Sequence, residues 1–229
     1  MFTLKELHSQ LDEALNTNTD STFPKELYTD IINTRRALYL KQEYSKRNRT
    51  IDSDIIQTIG CLDFEMAPAT DECCSTIQGC QILKSIYKIP ETIELNKTKG
   101  LISVGPTDIT KKRYSIIDYR EVPYAGKGRV NSMSRYAFLY NGYLYIFSHD
   151  VKVAAIKKLT IDAVFENPED IADFICDDRP CWSDDSPYPL KQWMWAYIKE
   201  EITQELLRKQ SIPFDEDPNF KDDKNEKSA

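Results

Sequence analysis

The sequence predicts an α+β protein in which helices from both chain ends form a bundle beside a central antiparallel β domain. Three observations carry this. A capped leucine helix and a longer second helix open the chain, and a helix with apolar residues every four positions closes the folded part. Between them, from Cys61, apolar residues alternate with period two over about a hundred residues. Like elements thus come in runs, which is the α+β arrangement and not the alternation of α/β folds.

Thr3-Leu-Lys-Glu6 is a capping box, with Thr3 and Glu6 satisfying each other's free amides, and Leu4, Leu7, Leu11 and Leu15 follow at helical spacing. The polar run Asn16–Thr22 ends this helix. Pro24 starts the second, where a missing N–H costs nothing. It is expected to run to about Asn48, with Leu27, Ile31 and Leu38 as its stripe and Tyr28, Ile32 and Tyr39 alongside. Its C-terminal half is basic: Arg35, Arg36, Lys41, Lys46, Arg47 and Arg49 against Glu43. Positive charge suits a helix C-terminus. These side chains read either as a solvated face or as a contact for acidic neighbours or passing DNA.

Asp54–Ile59 predicts a helical turn or two, stopped by Gly60. Strands are expected near Cys61–Met66, Gln81–Lys88, Thr92–Leu95, Leu101–Val104, Ser115–Tyr119, Tyr136–Tyr140, Tyr143–Phe147 and Lys152–Ile156. Asn96–Gly100 reads as a hairpin loop, and Lys111–Arg113 and Gly126–Arg129 as exposed basic loops.

The strongest local signal is Asn141-Gly142 between two β-prone runs, since both residues of a type I′ turn need positive φ. A two-residue loop fixes the register. Tyr140 then faces Tyr143, Phe138 faces Tyr145 and Tyr136 faces Phe147, all on one side, with Leu139–Leu144 and Ala137–Ile146 on the other. A half-exposed hairpin would alternate apolar and polar. A ribbon apolar on both sides must be covered twice, by a second core layer or by a neighbouring subunit.

Residues 161–174 lead through a short turn at Pro168–Phe174 into a polar loop, Asp177–Asp185. Pro187-Tyr-Pro189 introduces the last helix, about Leu190 to Lys209. Its stripe is Leu190, Met194, Ile198, Ile202 and Leu206, widened by Trp193, Trp195 and Tyr197, an arc broad enough for more than one partner surface. Ser211–Ala229 is a charged tail, expected to be disordered alone, with Asp215, Glu216, Asp217, Asp222, Asp223 and Glu226 against three lysines. Ile212, Pro213, Phe214 and Phe220 are spaced anchors within it. The divisions expected are 1–50 and 166–210 for the bundle, 51–165 for the β-rich domain and 211–229 for the tail.

Function classes are narrowed mostly by absence. Seven glycines in 229 residues disfavour a phosphate-loop or dinucleotide enzyme. A net charge of −7 argues against a dedicated nucleic-acid binder. The first residues lack the basic start and apolar run of a signal peptide, and no apolar run is long enough to span a membrane. The chain is therefore expected to stay in a reducing cytosol, with its six cysteines as buried free thiols. They show no C-x-x-C, and His8 and His149 lie in no ligand pattern, so neither metal nor cofactor is expected. His149-Asp150 is a weak catalytic candidate. Gly126-Lys-Gly128 lacks the rest of a phosphate loop, and Pro180-Cys181 lacks the rest of a deaminase site. The carboxylate pairs at Asp177, Asp184 and Asp222 match no cation loop. A chain without a catalytic constellation reads as a structural or interaction protein. A stand-alone binding module, or an enzyme with an unrecognised site near His149, is the alternative.

Several segments together carry a family likeness. They are Arg35-Arg-Ala-Leu38, Ile56–Met66, Gly79–Lys84, Lys88–Leu95, the Asn141-Gly142 aromatic hairpin and Pro187–Trp193. Over about residues 27–210 the chain resembles the head–tail connector (ring, or adaptor) proteins of podovirus-like tailed phages, most closely those of crAss-like phages. The resemblance implies a virion protein assembled in the host cytoplasm. It implies a homo-oligomeric ring, commonly twelve-fold, beneath the portal, in which a bundle from both chain ends packs beside a β domain. Such a ring contacts the portal and the adjacent tail ring proteins and extends the DNA channel without reading sequence. A ring needs head-to-tail contacts that close. The expected subunit or portal contacts are Tyr136, Phe138, Tyr140, Tyr143, Tyr145, Phe147, Phe214, Phe220, Arg35 and Arg36.

Overall fold

A computed structural model describes residues 2–15, 24–45, 50–68, 81–95, 100–128, 131, 133–148 and 155–211. Helix α1 (Leu4–Ala14) carries the expected capping box: Thr3 N–H donates to Glu6 Oε2 at 2.9 Å and Glu6 N–H to Thr3 Oγ1 at 3.3 Å. Leu4, Leu7, Leu11 and Leu15 are all buried. Helix α2 (Lys25–Tyr44) begins directly after Pro24 and stops earlier than expected, capped at Ser45. Its inward face also differs. It consists of Tyr28, Ile32, Asn33, Arg36, Leu40 and Tyr44, whereas Leu38 is 45% exposed. The buried series steps by four through a charged residue, and a search for apolar residues alone passes over it.

Helix α3 (Gln192–Ser211) buries Met194, Ile198, Ile202 and Leu206 completely. It lies against α2, where Arg35 reaches Glu205 at 2.9 Å and Glu201 at 3.6 Å and the Tyr39 hydroxyl donates to Glu201 at 2.7 Å. Trp195 ties it to α1 by donating its indole N–H to Gln10 Oε1 at 2.7 Å. The chain ends meet just before α3: Thr3 and Pro187 form an antiparallel bridge, and Tyr188 N–H donates to Phe2 O.

Seven strands form one sheet: β1 (Gln57–Pro68), β2 (Gln81–Ser85), β3 (Leu101–Gly105), β4 (Ser115–Ile116), β5 (Tyr136–Tyr140), β6 (Tyr143–Phe147) and β7 (Lys158–Ala163). Their order is β3-β7-β1-β2-β6-β5-β4. All neighbours are antiparallel except β4 and β5, which run parallel, so the sheet is mixed. Tyr114 N–H donates to Val104 O at 2.7 Å and brings the two outer strands together, so the sheet is nearly closed. Strand β1 is its spine: Gln57–Asp63 pairs with β7 and Phe64–Pro68 with β2.

Several expectations give way here. The turn at Asp54–Ile59 is only a 3₁₀ turn at Ser53–Ile55, and Gly60 lies inside β1 instead of ending a helix. Gly60 sits in the one-residue bulge between Ile59 and Leu62, where a Cβ would stand 3.1 Å from Cys176 Sγ. Thr92–Leu95 contributes an isolated bridge from Thr92 to Phe165, not a strand. Ser115–Tyr119 shortens to two residues, because Asp118 and Glu121 cap a 3₁₀ turn over Tyr119–Tyr124. Of Lys152–Ile156, residues 155 and 156 are not strand and the rest lie outside the described residues. Strand β7 occupies a segment expected to be a connection. The polar loop after it holds a tight hairpin, β8 (Ile175–Cys176) and β9 (Arg179–Pro180), turned by Asp177 and Asp178 at positive φ. Most buried residues of the helices and the sheet form one continuous core, which leaves out Tyr136 and Phe138 of β5.

Candidate assembly surfaces

The aromatic hairpin has the register expected of it, with Tyr136 opposite Phe147, Phe138 opposite Tyr145 and Tyr140 opposite Tyr143. Asn141 and Gly142 both take positive φ, 51° and 79°. Its two faces differ in cover. On the aliphatic face Ala137, Leu144 and Ile146 are fully inside the core, and Leu139 is half-buried. On the aromatic face Tyr136 and Phe138 are buried, but Tyr140, Tyr143, Tyr145 and Phe147 are only half-buried.

What covers the aromatic face is partly the chain itself. The 3₁₀ turn lays Tyr119 on Tyr140, stacked with centroids 4.3 Å apart, and Phe138 stacks on Tyr145 at 5.3 Å. Lys84 places its ammonium 4.0 Å from the Tyr143 ring centre, a cation–π contact. Beside this stack the same turn forms a cavity of 340 Å³ with Phe147, walled by Tyr119, Val122 and Pro123 and edged by Arg120 and Lys127. Tyr119 and Tyr124 are 47% and 79% exposed. Asp118 and Glu121 accept from backbone amides of the turn as its capping box. A second exposed aromatic pair lies on α3: Trp193 and Tyr197, 47% and 57% exposed, meet edge to face at 6.5 Å. The sequence reading widened the α3 stripe by these residues but did not single out Tyr119 and Tyr124.

The two expected contact arginines part company. Arg35 is half-exposed and bound to α3. Arg36 has no exposed surface, and this corrects its place among the contacts. Its Nε donates to Pro189 O and its Nη1 to Phe165 O, both at 2.8 Å, and its guanidinium faces the Tyr188 ring at 5.7 Å. Tyr188 hydroxyl donates to Asn33 Oδ1 at 2.6 Å, and Asn33 Nδ2 donates to Glu169 Oε1 at 2.7 Å. Burial pulls the Arg36 pKa down against the fields of Tyr188 and Glu169, and pushes the Glu169 carboxyl up. Arg36 thus joins α2, the end of β7 and the entry to α3 from inside.

The remaining candidates separate in the same way. Phe214, Phe220 and His149 lie outside the described residues. His8 shares a hydrogen bond with Thr29 Oγ1 at 3.1 Å, and burial lowers its pKa. Cys61, Cys176 and Cys181 are free thiols that the fold brings together, with Cys176 and Cys181 sulfurs 3.6 Å apart, but they are half-buried instead of fully buried. Among the described residues no group of His, Cys, Asp and Glu is placed to hold a metal, and no helix is long and apolar enough to cross a membrane.

The described residues thus form a bundle from both chain ends beside a nearly closed sheet, with aromatic side chains left partly exposed. The chain belongs to the phage tail ring protein 2 family of crAss-like phages, whose family model matches residues 10–224. It is 26% identical over 222 residues to Ring protein 2 of Bacteroides phage crAss001, with 95% of each chain covered. It is accordingly a structural ring component of the virion tail, which implies a homo-oligomer and a non-catalytic role.

Proposed function

We propose that this ring is a head–tail connector, placed between the portal and the next tail ring and extending the DNA channel. In this reading about a dozen copies close head to tail, a heterologous contact that needs two different patches on each subunit. The observation that carries it is the aromatic face of the hairpin. Tyr140, Tyr143, Tyr145 and Phe147 stay half-buried in a family that assembles. Tyr136 and Phe138 complete that face at its buried end, and Phe214 and Phe220 supply further contacts from the tail. Arg35 orders the α2–α3 surface offered to a neighbour. The net charge of −7 suits a lumen through which DNA slides without being bound. No membrane or cofactor takes part.

Native mass spectrometry of the chain alone and with the portal protein of its phage tests this. A closed ring, formed alone or on the portal, is the expected result. A chain that stays monomeric in both conditions overturns the connector reading.

A further inference from the structure

Three cavities among the described residues differ in charge, and that difference selects an occupant. One, of 610 Å³ beside Cys61, Tyr87 and Phe174, carries Asp63, Asp170 and Asp173 against the single cation Lys88. Another, of 370 Å³ along α3, is lined by Arg35, Glu201, Gln204, Glu205, Arg208 and Lys209 and has no aromatic wall. Of these three, the slot between the 3₁₀ turn and Phe147 is the one that combines aromatic and aliphatic walls with cations and no lining carboxylate. Arg120 and Lys127 are exposed there, and neither is in an ion pair among the described residues.

The chain itself holds a segment of matching chemistry. Ile212-Pro-Phe-Asp-Glu-Asp-Pro-Asn-Phe220 places three consecutive acids between two phenylalanines, with no base. The family match continues to residue 224, so this segment belongs to the family pattern. We propose that Ile212–Phe220 of one copy docks in the Tyr119–Lys127 slot of another. Phe214 fills the apolar floor against Val122, Pro123 and Phe147, and Asp215–Asp217 meet Arg120 and Lys127. An aromatic anchor in an apolar pocket with a charged rim is the usual economy of a small interface. A tail leaving one copy and a slot on the next are two different patches, which is the heterologous contact a ring requires. The inference rests on the ring reading given above.

The test uses the full chain with p-benzoylphenylalanine in place of Phe214. Copies carrying it are labelled with ¹⁵N and mixed with unlabelled copies that lack it, then irradiated. The expected result is a crosslink from labelled position 214 to unlabelled residues 119–127 or Phe147. Arg120→Glu combined with Lys127→Glu in the unlabelled copies should cut its yield about tenfold or more, with the thermal midpoint unchanged because both side chains are exposed. Crosslinks only within labelled copies, to the acidic groove, or to nothing overturn the proposal, as does a yield indifferent to the charge reversal. Native mass on the same samples separates the two readings. Rings without the crosslink defeat the docking and leave the ring intact, whereas monomers without it count against both.

Discussion

The node around Arg36 and the aromatic face of the β5–β6 hairpin are opposites. One is a charge with no exposed surface, and the other is a set of rings that their own subunit only half covers. Burial in this protein follows the supply of partners, not the character of the side chain. Arg36 goes inside because the carbonyls of Phe165 and Pro189 point at it from two segments that have left their regular elements. The aromatic rings stay partly out because their cover among the described residues is slight, one short turn at Tyr119–Tyr124 and the Lys84 side chain.

Breaking the first region should cost most. Arg36→Ala strands buried carbonyls and removes the post between three segments, for a loss of about 3–5 kcal/mol in chemical denaturation. Ile146→Ala, on the covered side of the hairpin, opens a cavity and should cost about 2–5 kcal/mol. On the other side, Tyr119→Ala should cost only about 0.5–1.5 kcal/mol of subunit stability, with a larger effect on the yield of assembled ring in native mass spectra. That split, stability lost beneath the ribbon and assembly lost above it, is the sharpest form of the contrast. Arg35→Ala, one residue from the buried node, should cost less than about 1 kcal/mol, since its ion pairs are half-exposed.

The smallest effect is one of pH. Burial holds the Glu169 carboxyl above its ordinary value of 4.5, so the folded chain binds that proton more tightly than the unfolded one. The stability this contributes is full below the ordinary value and is lost as pH rises through the folded one. Urea denaturation between pH 4 and pH 7 should therefore show a smaller fall with rising pH in Glu169→Gln than in the native chain.

The parts of this fold that could be read in advance are those fixed by local chemistry. The capping box of α1 and the Asn141-Gly142 hairpin each depend on residues a few positions apart. Strand β7 escaped because Lys158 and Asp162 make it look like surface. Their partners, Asp63 and Thr58 on β1 and Arg113 in the loop before β4, are remote in sequence. Arg36 escaped for the same reason, its acceptors lying well over a hundred residues downstream. At the candidate surfaces, the aromatic face was visible as a pattern. The turn that half covers it was not, since Tyr-Arg-Glu-Val-Pro-Tyr has neither strand nor helix period. The meeting of Cys61 with Cys176 and Cys181 likewise depends on distant segments, since it is made by the β8–β9 hairpin packing on β1.

The bridge between Thr3 and Pro187, and the bond from Tyr188 to Phe2 beside it, set a schedule for synthesis. The first helix emerges from the ribosome early, but its seat against α3 exists only after Gln192–Ser211 has been made. Closing the bundle is therefore a late step in the folding of each subunit, since it joins residues more than 180 positions apart.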